Sequence, residues 1–108
     1  MTRIIQKYTM VSTLSELKRT LENCKEHGPT ALDFETTSLA PREGRVRLVS
    51  LCNKRVQALV DFDAIGRDSF RKHARLFEGG EWVVFNVGFE GRWFMDGHAY
   101  PTLWDVGN

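Results

Sequence analysis

The sequence predicts a single α/β domain in which helices flank a mixed sheet. The chain has 108 residues, a length typical of one globular domain. Two observations carry the prediction. The spacing of apolar residues changes from about 3.6 to 2 after Gly28-Pro29, and three consecutive strands are then followed by strands that alternate with helices. We therefore expect three antiparallel strands with parallel additions and helices packed against them.

The first predicted element is a helix that ends at Gly28-Pro29, a pair that stops helices. Thr13 and Glu16 have the spacing of a capping box, in which a hydroxyl and a carboxylate each accept a hydrogen bond from a backbone N–H. The apolar stripe of this helix recurs at spacings of three and four residues, at Leu14, Leu17, Leu21 and Cys24.

The remaining elements follow from alternation, apolar runs and turn signals. Strands are predicted at 30–35, 45–52, 56–60 and 82–85, with a last edge strand around 100–104. Helices are predicted at 68–77 and at about 89–95. Four aromatic residues on or beside the apolar run at 82–85 are expected in the core: Trp82, Phe85, Trp93 and Phe94.

Charge is distributed unevenly although the net charge is +1. Residues 1–75 hold 14 of the 15 Lys and Arg and 9 of the 14 Asp and Glu, which leaves +5, and residues 76–108 carry −4. A basic first part suits a polyanionic partner and an acidic second part can hold metal. Solvated helix and hairpin faces explain the basic residues about equally well.

Several functional classes are not supported by the sequence. No stretch approaches the roughly 20 apolar residues of a membrane helix, and the start lacks the features of a secretory signal, so we expect a soluble intracellular chain without membrane contact. The spacing of cysteines and histidines supports neither a disulfide framework nor a zinc site. Cys24 and Cys52 form no CxxC pair, and His27, His73 and His98 are far apart in the sequence.

Two carboxylates on one predicted strand indicate a cation site. Asp33 and Glu35 are two residues apart, so they share one face of the strand, while Leu32 and Phe34 take the other. Neighbouring carboxylates in an apolar strand repel each other and are costly to desolvate, and divalent cations relieve both effects. A solvated pair at a wet strand end is the alternative.

The surrounding residues resemble a known family. The run LDFETTSLAPREGRVRLVSLC resembles the first signature of the DEDD 3′–5′ exonucleases. With the preceding helix, it is similar to the opening of the proofreading domain of family A DNA polymerases and of their ribonuclease D relatives. The second signature, Asn followed four residues later by Asp after an aromatic residue, is matched by VVFNVGFEGRWF through Asn86, Phe89 and Glu90.

The third signature of that family is not present in this sequence. It requires Tyr or His with Asp four residues on, whereas Tyr100 is followed by Trp104 and His98 by Thr102. The segment PTLWDV resembles a strand-end segment of the family, with Asp105 in the acidic place. The resemblance covers about residues 8–106 and implies a ribonuclease H-like fold, shortened at its C-terminal end, with residues 1–108 forming one partial exonuclease domain.

The resemblance also implies roles for individual residues. Asp33, Glu35 and Glu90 would be catalytic ligands of two divalent cations, Mg²⁺ or Mn²⁺. Glu90 stands where the family has Asp, and its extra methylene moves the carboxylate by about 1 Å or more, enough to slow catalysis when geometry is tight. Three residues would contact or orient substrate: Thr36 near the terminal 3′-hydroxyl, Leu39 against the terminal base, and Asn86.

The function that the resemblance implies is hydrolysis of phosphodiester bonds from a single-stranded 3′ end, with DNA preferred over RNA, by a shortened or split domain. The alternative is an inactive relative that binds nucleic acid or protein. A third possibility is a subunit whose exposed sheet face is covered by a second chain or another copy. A compact or divided exonuclease suits a bacteriophage genome, so the expected location is the cytoplasm of a bacterial or phage-infected cell.

Overall fold

Six strands form one mixed sheet in the computed structural model, which describes residues 7–107. The strands are β1 (Thr9–Val11), β2 (Thr30–Thr36), β3 (Val46–Cys52), β4 (Gln57–Asp61), β5 (Glu81–Val84) and β6 (Thr102–Asp105). The helices are α1 (Leu14–His27), α2 (Phe62–Ile65), α3 (Ser69–His73) and α4 (Val87–Asp96), with 3-10 turns at Pro41–Glu43 and Ala74–Phe77. Within residues 7–107, no helix combines the length and apolarity that a membrane crossing requires.

The strand order is β1-β4-β3-β2-β5-β6. Strands β2, β3 and β4 form an antiparallel meander, and β5 and β6 add to it in parallel on the β2 side. This arrangement confirms the predicted mixed sheet. Strand β1 pairs in parallel with β4 and was not predicted, because three residues are too short to show a period of two.

One face of the sheet is buried under the helices. On β2, Leu32 and Phe34 are buried while Ala31, Asp33 and Glu35 are exposed, as the alternation predicts. Every helix contributes to the same hydrophobic core; examples are Leu17 of α1, Phe62 of α2, Phe70 of α3 and Trp93 of α4. The side chains of opposite parity on the strands form the other face, which we call the open face.

One prediction about the core is wrong, and the residue concerned lies on the open face. Phe85 was expected in the core with Trp82, Trp93 and Phe94, but its side chain is 73% exposed while the other three are buried. Because neighbouring strand residues point to opposite sides, Trp82 and Val84 enter the core and the next residues face outward. Large exposed side chains on this side of the molecule also include Trp104 and Val106.

A second correction concerns the helix predicted at 68–77. The segment forms the short helix α3 and a 3-10 turn, preceded by the separate four-residue helix α2. Gly66 and Asp68 have positive φ angles of 154° and 55°, which interrupt a continuous helix between Asp61 and Phe77. The short pieces nevertheless bury Phe62, Phe70 and Phe77, so the predicted apolar face is present without the predicted length.

Helix α1 begins with the predicted capping box. Glu16 N–H donates to Thr13 Oγ1 at 3.2 Å, and Thr13 N–H donates to Glu16 Oε1 at 3.1 Å. The helix ends at His27, directly before Gly28-Pro29, as predicted. Its buried residues are Leu17, Leu21 and Cys24, while Leu14 packs against the edge of the core.

We expect Thr13→Ala to lower the free energy of unfolding by about 1 kcal/mol, because the first turn loses an acceptor for an orphan N–H. Urea denaturation would measure this loss. Thr13→Ser, which keeps the hydroxyl, should retain most of the stability. An equal loss in both variants would show that the cap does not stabilise the helix.

Candidate active site

Strand β2 presents the two predicted carboxylates on the open face. Asp33 is opposite Ser50, and Glu35 is opposite Leu48 on β3. Both acidic residues are exposed, and the side chain of Glu35 is 62% accessible. Because solvent reaches both residues, the expectation that this pair is destabilised by burial in an apolar strand is wrong.

Asp33 lies between two concave regions of the open face. One cavity, of about 220 Å³, is lined by Asp33, Glu35 and residues of β3 and β4. The other, of about 390 Å³, is more apolar and extends from Asp33 toward Phe85 and Val106. A ligand group in either cavity would therefore lie beside the Asp33 carboxylate.

The second predicted motif forms the start of α4. Asn86 is the N-cap residue, and its Oδ1 accepts a hydrogen bond of 3.3 Å from Phe89 N–H. Glu90 folds back toward this end of the helix, where its Oε1 accepts a hydrogen bond of 3.3 Å from Asn86 N–H. The side chain of Asn86 therefore positions the helix start, and its backbone holds the Glu90 carboxylate.

Glu90 is the buried acid of the site, with only 3% of its surface exposed. Burial raises the pKa of Glu90 above its ordinary value, hydrogen bonds from the backbone N–H groups of Glu90 and Asn86 oppose the increase, and the charges of Asp33 and Asp105 add to it. Three acidic residues from β2, α4 and β6 therefore share one electrostatic environment.

The predicted contact residues Thr36 and Leu39 lie at the end of β2 and in the loop that follows. Thr36 Oγ1 donates to Ser38 O at 2.6 Å, and the loop closes through Thr37 N–H, which donates to Arg45 O. A Cβ at Gly44 would lie 2.6 Å from Thr37 Oγ1, so the loop approaches too closely for another residue. Leu39 is 79% exposed at the loop surface, available to an incoming ligand.

Arg47 contacts the site, although the sequence counted it only among the basic residues that suit a polyanionic partner or a solvated face. Its guanidinium lies 3.8 Å from Glu35 and 3.3 Å from Asp63. Both contacts are partly exposed, so they contribute little to stability. Simple alternation would put Arg47 on the buried face of β3 with Val49, but the register with β2 shifts after Glu35, an irregularity that the sequence does not reveal.

The carboxylates present have the right chemistry for a divalent cation, but the described side chains do not supply a complete set of ligands. Carboxylate oxygens are the ligands that Mg²⁺ and Mn²⁺ prefer, and a cation would offset the repulsion that the charges of Asp33 and Asp105 exert on Glu90. Across residues 7–107, however, no three His, Cys, Asp or Glu side chains are grouped closely enough to hold an ion together. A cation would need further oxygen ligands, such as water or substrate phosphate.

We expect Glu90→Gln to gain stability relative to the wild type as the pH rises from about 4 to about 8 in buffer containing EDTA. The folded-state pKa of Glu90 is raised, so its favourable contribution is complete below the unfolded pKa and is lost as the pH rises through the folded value. Glutamine has no such loss. Urea unfolding over a pH series would measure the difference in unfolding free energy between Glu90→Gln and the wild type. We expect this difference to be on the order of 1 kcal/mol, the effect of a typical single substitution.

Glu22→Gln, on the exposed side of α1, is the control for removing a carboxylate elsewhere. A gap between Glu90→Gln and the wild type that stays constant or narrows with rising pH would contradict the burial of a titrating charge at position 90.

Comparison with solved structures places this geometry in a known fold. The catalytic core of RRP6 from Trypanosoma brucei matches with a TM-score of 0.72 and 19% identity, over 93% of this chain and 29% of that one. RNase D of Escherichia coli matches with a TM-score of 0.63 and 20% identity, over 84% and 24%. Trypanosoma brucei RNase D in complex with RNA U12 matches with a TM-score of 0.70 and 23% identity, over 92% and 37%.

These comparisons define the chain as a ribonuclease H-like α/β domain that spans 24–37% of the length of those three proteins. The sequence model of the 3′–5′ exonuclease family matches residues 8–106. The chain therefore belongs to the 3′–5′ exonuclease family of DEDD type. A search of curated proteins found no match.

Proposed function

We propose that this chain contributes the Asp33, Glu35 and Glu90 carboxylates of a metal-dependent exonuclease, which removes nucleotides from the 3′ end of a single-stranded nucleic acid. The observation that carries the proposal is the placement of Asp33 and Glu35 on one exposed face of β2, where both line the same cavity. The buried Glu90 at the start of α4 supports it, because the charge of Asp33, 57 positions away in the sequence, adds to its raised pKa. Membership of the exonuclease family supports it.

Some residues of the chain would hold cations, and others would position the nucleic-acid strand. When bound, two Mg²⁺ or Mn²⁺ ions would supply hydroxide and stabilise the leaving 3′-oxygen. Asp33, Glu35 and Glu90 would hold them, and Asn86 would keep Glu90 in place through its backbone N–H. Thr36 would contact the terminal 3′-hydroxyl, and the exposed Leu39 would pack against the terminal base.

The substrate proposed first is DNA, because the first signature resembles the proofreading domain of family A polymerases. RNA is the competing substrate, and the RNase D neighbours, one of them bound to RNA, support it. Both have the same scissile phosphodiester bond. They differ in the 2′-hydroxyl, so the two substrates must be compared on the same sequence.

The decisive experiment incubates the purified chain with 5′-labelled single-stranded DNA or RNA in Mn²⁺ or in EDTA. Stepwise shortening from the 3′ end, release of 5′-nucleotides and resistance of 3′-blocked strands would support the proposal. Shortening that persists in EDTA would contradict the metal-dependent mechanism. Intact strands in every condition, including addition of a second polypeptide proposed to complete the site, would overturn the proposed activity.

Two observations favour a second candidate, a family member that binds nucleic acid without cleaving it. No complete group of three metal-ligating side chains exists within residues 7–107, and Glu90 replaces the aspartate of the second signature. Binding of both oligonucleotides without cleavage in Mn²⁺ would favour this reading.

The open face supports a subordinate proposal, that another chain or a second copy covers it and completes the site. Its exposed apolar side chains include Phe85 at 73%, Trp104 at 54% and Val106 at 61%, and the third signature is not present in the sequence. Cleavage that appears only after a second polypeptide is added would support completion. Full activity of the isolated monomer would contradict it.

A further inference from the structure

A cleft rich in arginine lies beside the end of β2, apart from the Asp33 and Glu90 carboxylates. The 3-10 turn at Pro41–Glu43 and the two residues that lead into β3 form one wall, and α2 and α3 with their connection form the other. Its volume is about 660 Å³. The charged residues that line it are Arg42, Glu43, Arg45, Asp63, Arg67, Asp68 and Arg71, which leaves one net positive charge.

Two of the four arginines hold the walls of this arginine cleft together. Arg45 forms a two-pronged contact with Asp63, at 2.8 Å from Nε and 3.1 Å from its terminal nitrogen, and so joins the residue that precedes β3 to α2. Arg71 donates to Asp96 at 2.6 Å and to the Pro41 carbonyl at 3.2 Å, and so joins α3 to α4 and to the turn.

The other two arginines remain available to a ligand. Arg42 and Arg67 are exposed, and neither side chain forms an ion pair or hydrogen bond with any residue from 7 to 107. The cleft therefore combines walls that are already fixed with two free guanidinium groups. Binding to such a surface requires little reorganisation of the protein.

The chemistry of the free groups indicates a phosphate ligand. Guanidinium presents a planar fork that matches phosphate oxygens and remains charged at all physiological pH values. The exposed position of Arg42 and Arg67 on a cleft open to solvent suits a chain of phosphodiesters that passes through.

The arginine cleft is connected to the proposed active site by a chain of side chains. Asp63, which lines the cleft, contacts Arg47 at 3.3 Å, and Arg47 lies 3.8 Å from Glu35. The cleft also opens beside the loop that follows Thr36. A strand with its 3′ end at Asp33 and Glu35 could therefore continue along this side of the molecule.

We propose that the arginine cleft binds the phosphodiester backbone of single-stranded nucleic acid upstream of the 3′ end, through Arg42 and Arg67. The direction of the strand rests on the proposed function, whereas the binding itself does not require cleavage. Such contacts add affinity that depends on salt and not on base sequence.

The test measures the affinity of a labelled single-stranded oligothymidylate by fluorescence anisotropy in EDTA over a range of salt concentrations. The variant is Arg42→Gln with Arg67→Gln. We expect affinity to fall about tenfold or more at low salt, and the slope of log affinity against log salt to decrease by about 1.4, the value for two single-strand phosphate contacts. Thermal unfolding would verify that the variant is folded.

The matched control is Arg19→Gln with Arg55→Gln. These residues line a groove of about 240 Å³ between α1 and the β3–β4 hairpin, at the opposite end of the sheet, and their replacement changes the net charge equally. We expect affinity within about twofold of the wild type apart from the general effect of net charge.

Equal losses in the two double variants, or no loss in either, would overturn the proposal. Competition by inorganic phosphate or by polyglutamate as effective as that of the oligonucleotide would also overturn it, because the cleft would then hold a single anion or an acidic protein. Asp33→Asn separates the two hypotheses, because binding that is retained while cleavage is lost supports the cleft independently of catalysis. Cleavage by the wild-type chain, with no loss of affinity in the Arg42→Gln, Arg67→Gln variant, would support the proposed function and overturn the cleft.

Discussion

Asp33→Asn is expected to reduce 3′–5′ cleavage by about a thousandfold or more, an effect comparable to removing a principal electrostatic group from an active site. The substitution keeps the size of the side chain and removes its negative charge. Asp33 borders both cavities of the open face and contributes to the raised pKa of Glu90. Under the proposed function, its loss therefore removes one of the proposed cation ligands and one of the charges that raise the pKa of Glu90.

The measurement is the initial rate of shortening of a 5′-labelled strand in Mn²⁺, with substrate binding measured separately in EDTA. Because Asp33 is exposed, the fold should not depend on its charge, and thermal unfolding would verify this. Glu22→Gln, on the exposed side of α1, is the control carboxylate. Undiminished cleavage by Asp33→Asn would remove Asp33 from the catalytic assignment and indicate a different site or a contaminating nuclease.

Phe70→Ala is expected to have the largest effect on stability, a loss of about 3–5 kcal/mol. The Phe70 ring is 4% exposed. It contacts four other rings at centroid distances of 5.1–5.9 Å, which come from β2, α2, the second 3-10 turn and α4: Phe34, Phe62, Phe77 and Phe94. Its removal leaves a cavity where the sheet and the short helices meet.

A loss of that size is a large part of the roughly 5–15 kcal/mol that stabilises a typical domain. Urea denaturation would show a lower midpoint, and if the variant is unfolded without denaturant, the milder Phe70→Leu should show an intermediate loss. Phe85→Ala removes the same ring from a site that is 73% exposed and should change stability by less than about 0.5 kcal/mol. Similar losses at positions 70 and 85 would contradict the assignment of the core.

The parts of the fold that could be predicted are those determined by neighbouring residues. The cap formed by Thr13 and Glu16, the apolar stripe of α1 and the alternation of β2 all depend on spacing within a few positions, and all three are present. The strand order of the meander also followed, because consecutive strands joined by short turns pair with each other.

The parts that could not be predicted depend on contacts between distant residues. Strand β1 exists because β4 offers an edge with which three residues can pair. Phe85 is exposed because the face toward which it points has no covering layer among residues 7–107, whereas an apolar run alone suggests burial on both sides. The separation of α2 from α3 depends on positive φ angles at Gly66 and Asp68, which the apolar pattern does not reveal.

For the candidate site, the DxE pattern on a strand indicated Asp33 and Glu35, and the resemblance to the second exonuclease signature implied Glu90; their role as ligands stays a prediction. The tertiary structure decided that Glu90, not Asp33 or Glu35, is the buried acid, and it brought Asp33, Glu90 and Asp105 into one environment. It also placed Arg42 and Arg67 on one cleft from separate segments. Spacing along the chain determines which face a side chain takes, whereas desolvation and charge interactions depend on distances through space, which only the packed sheet and helices establish.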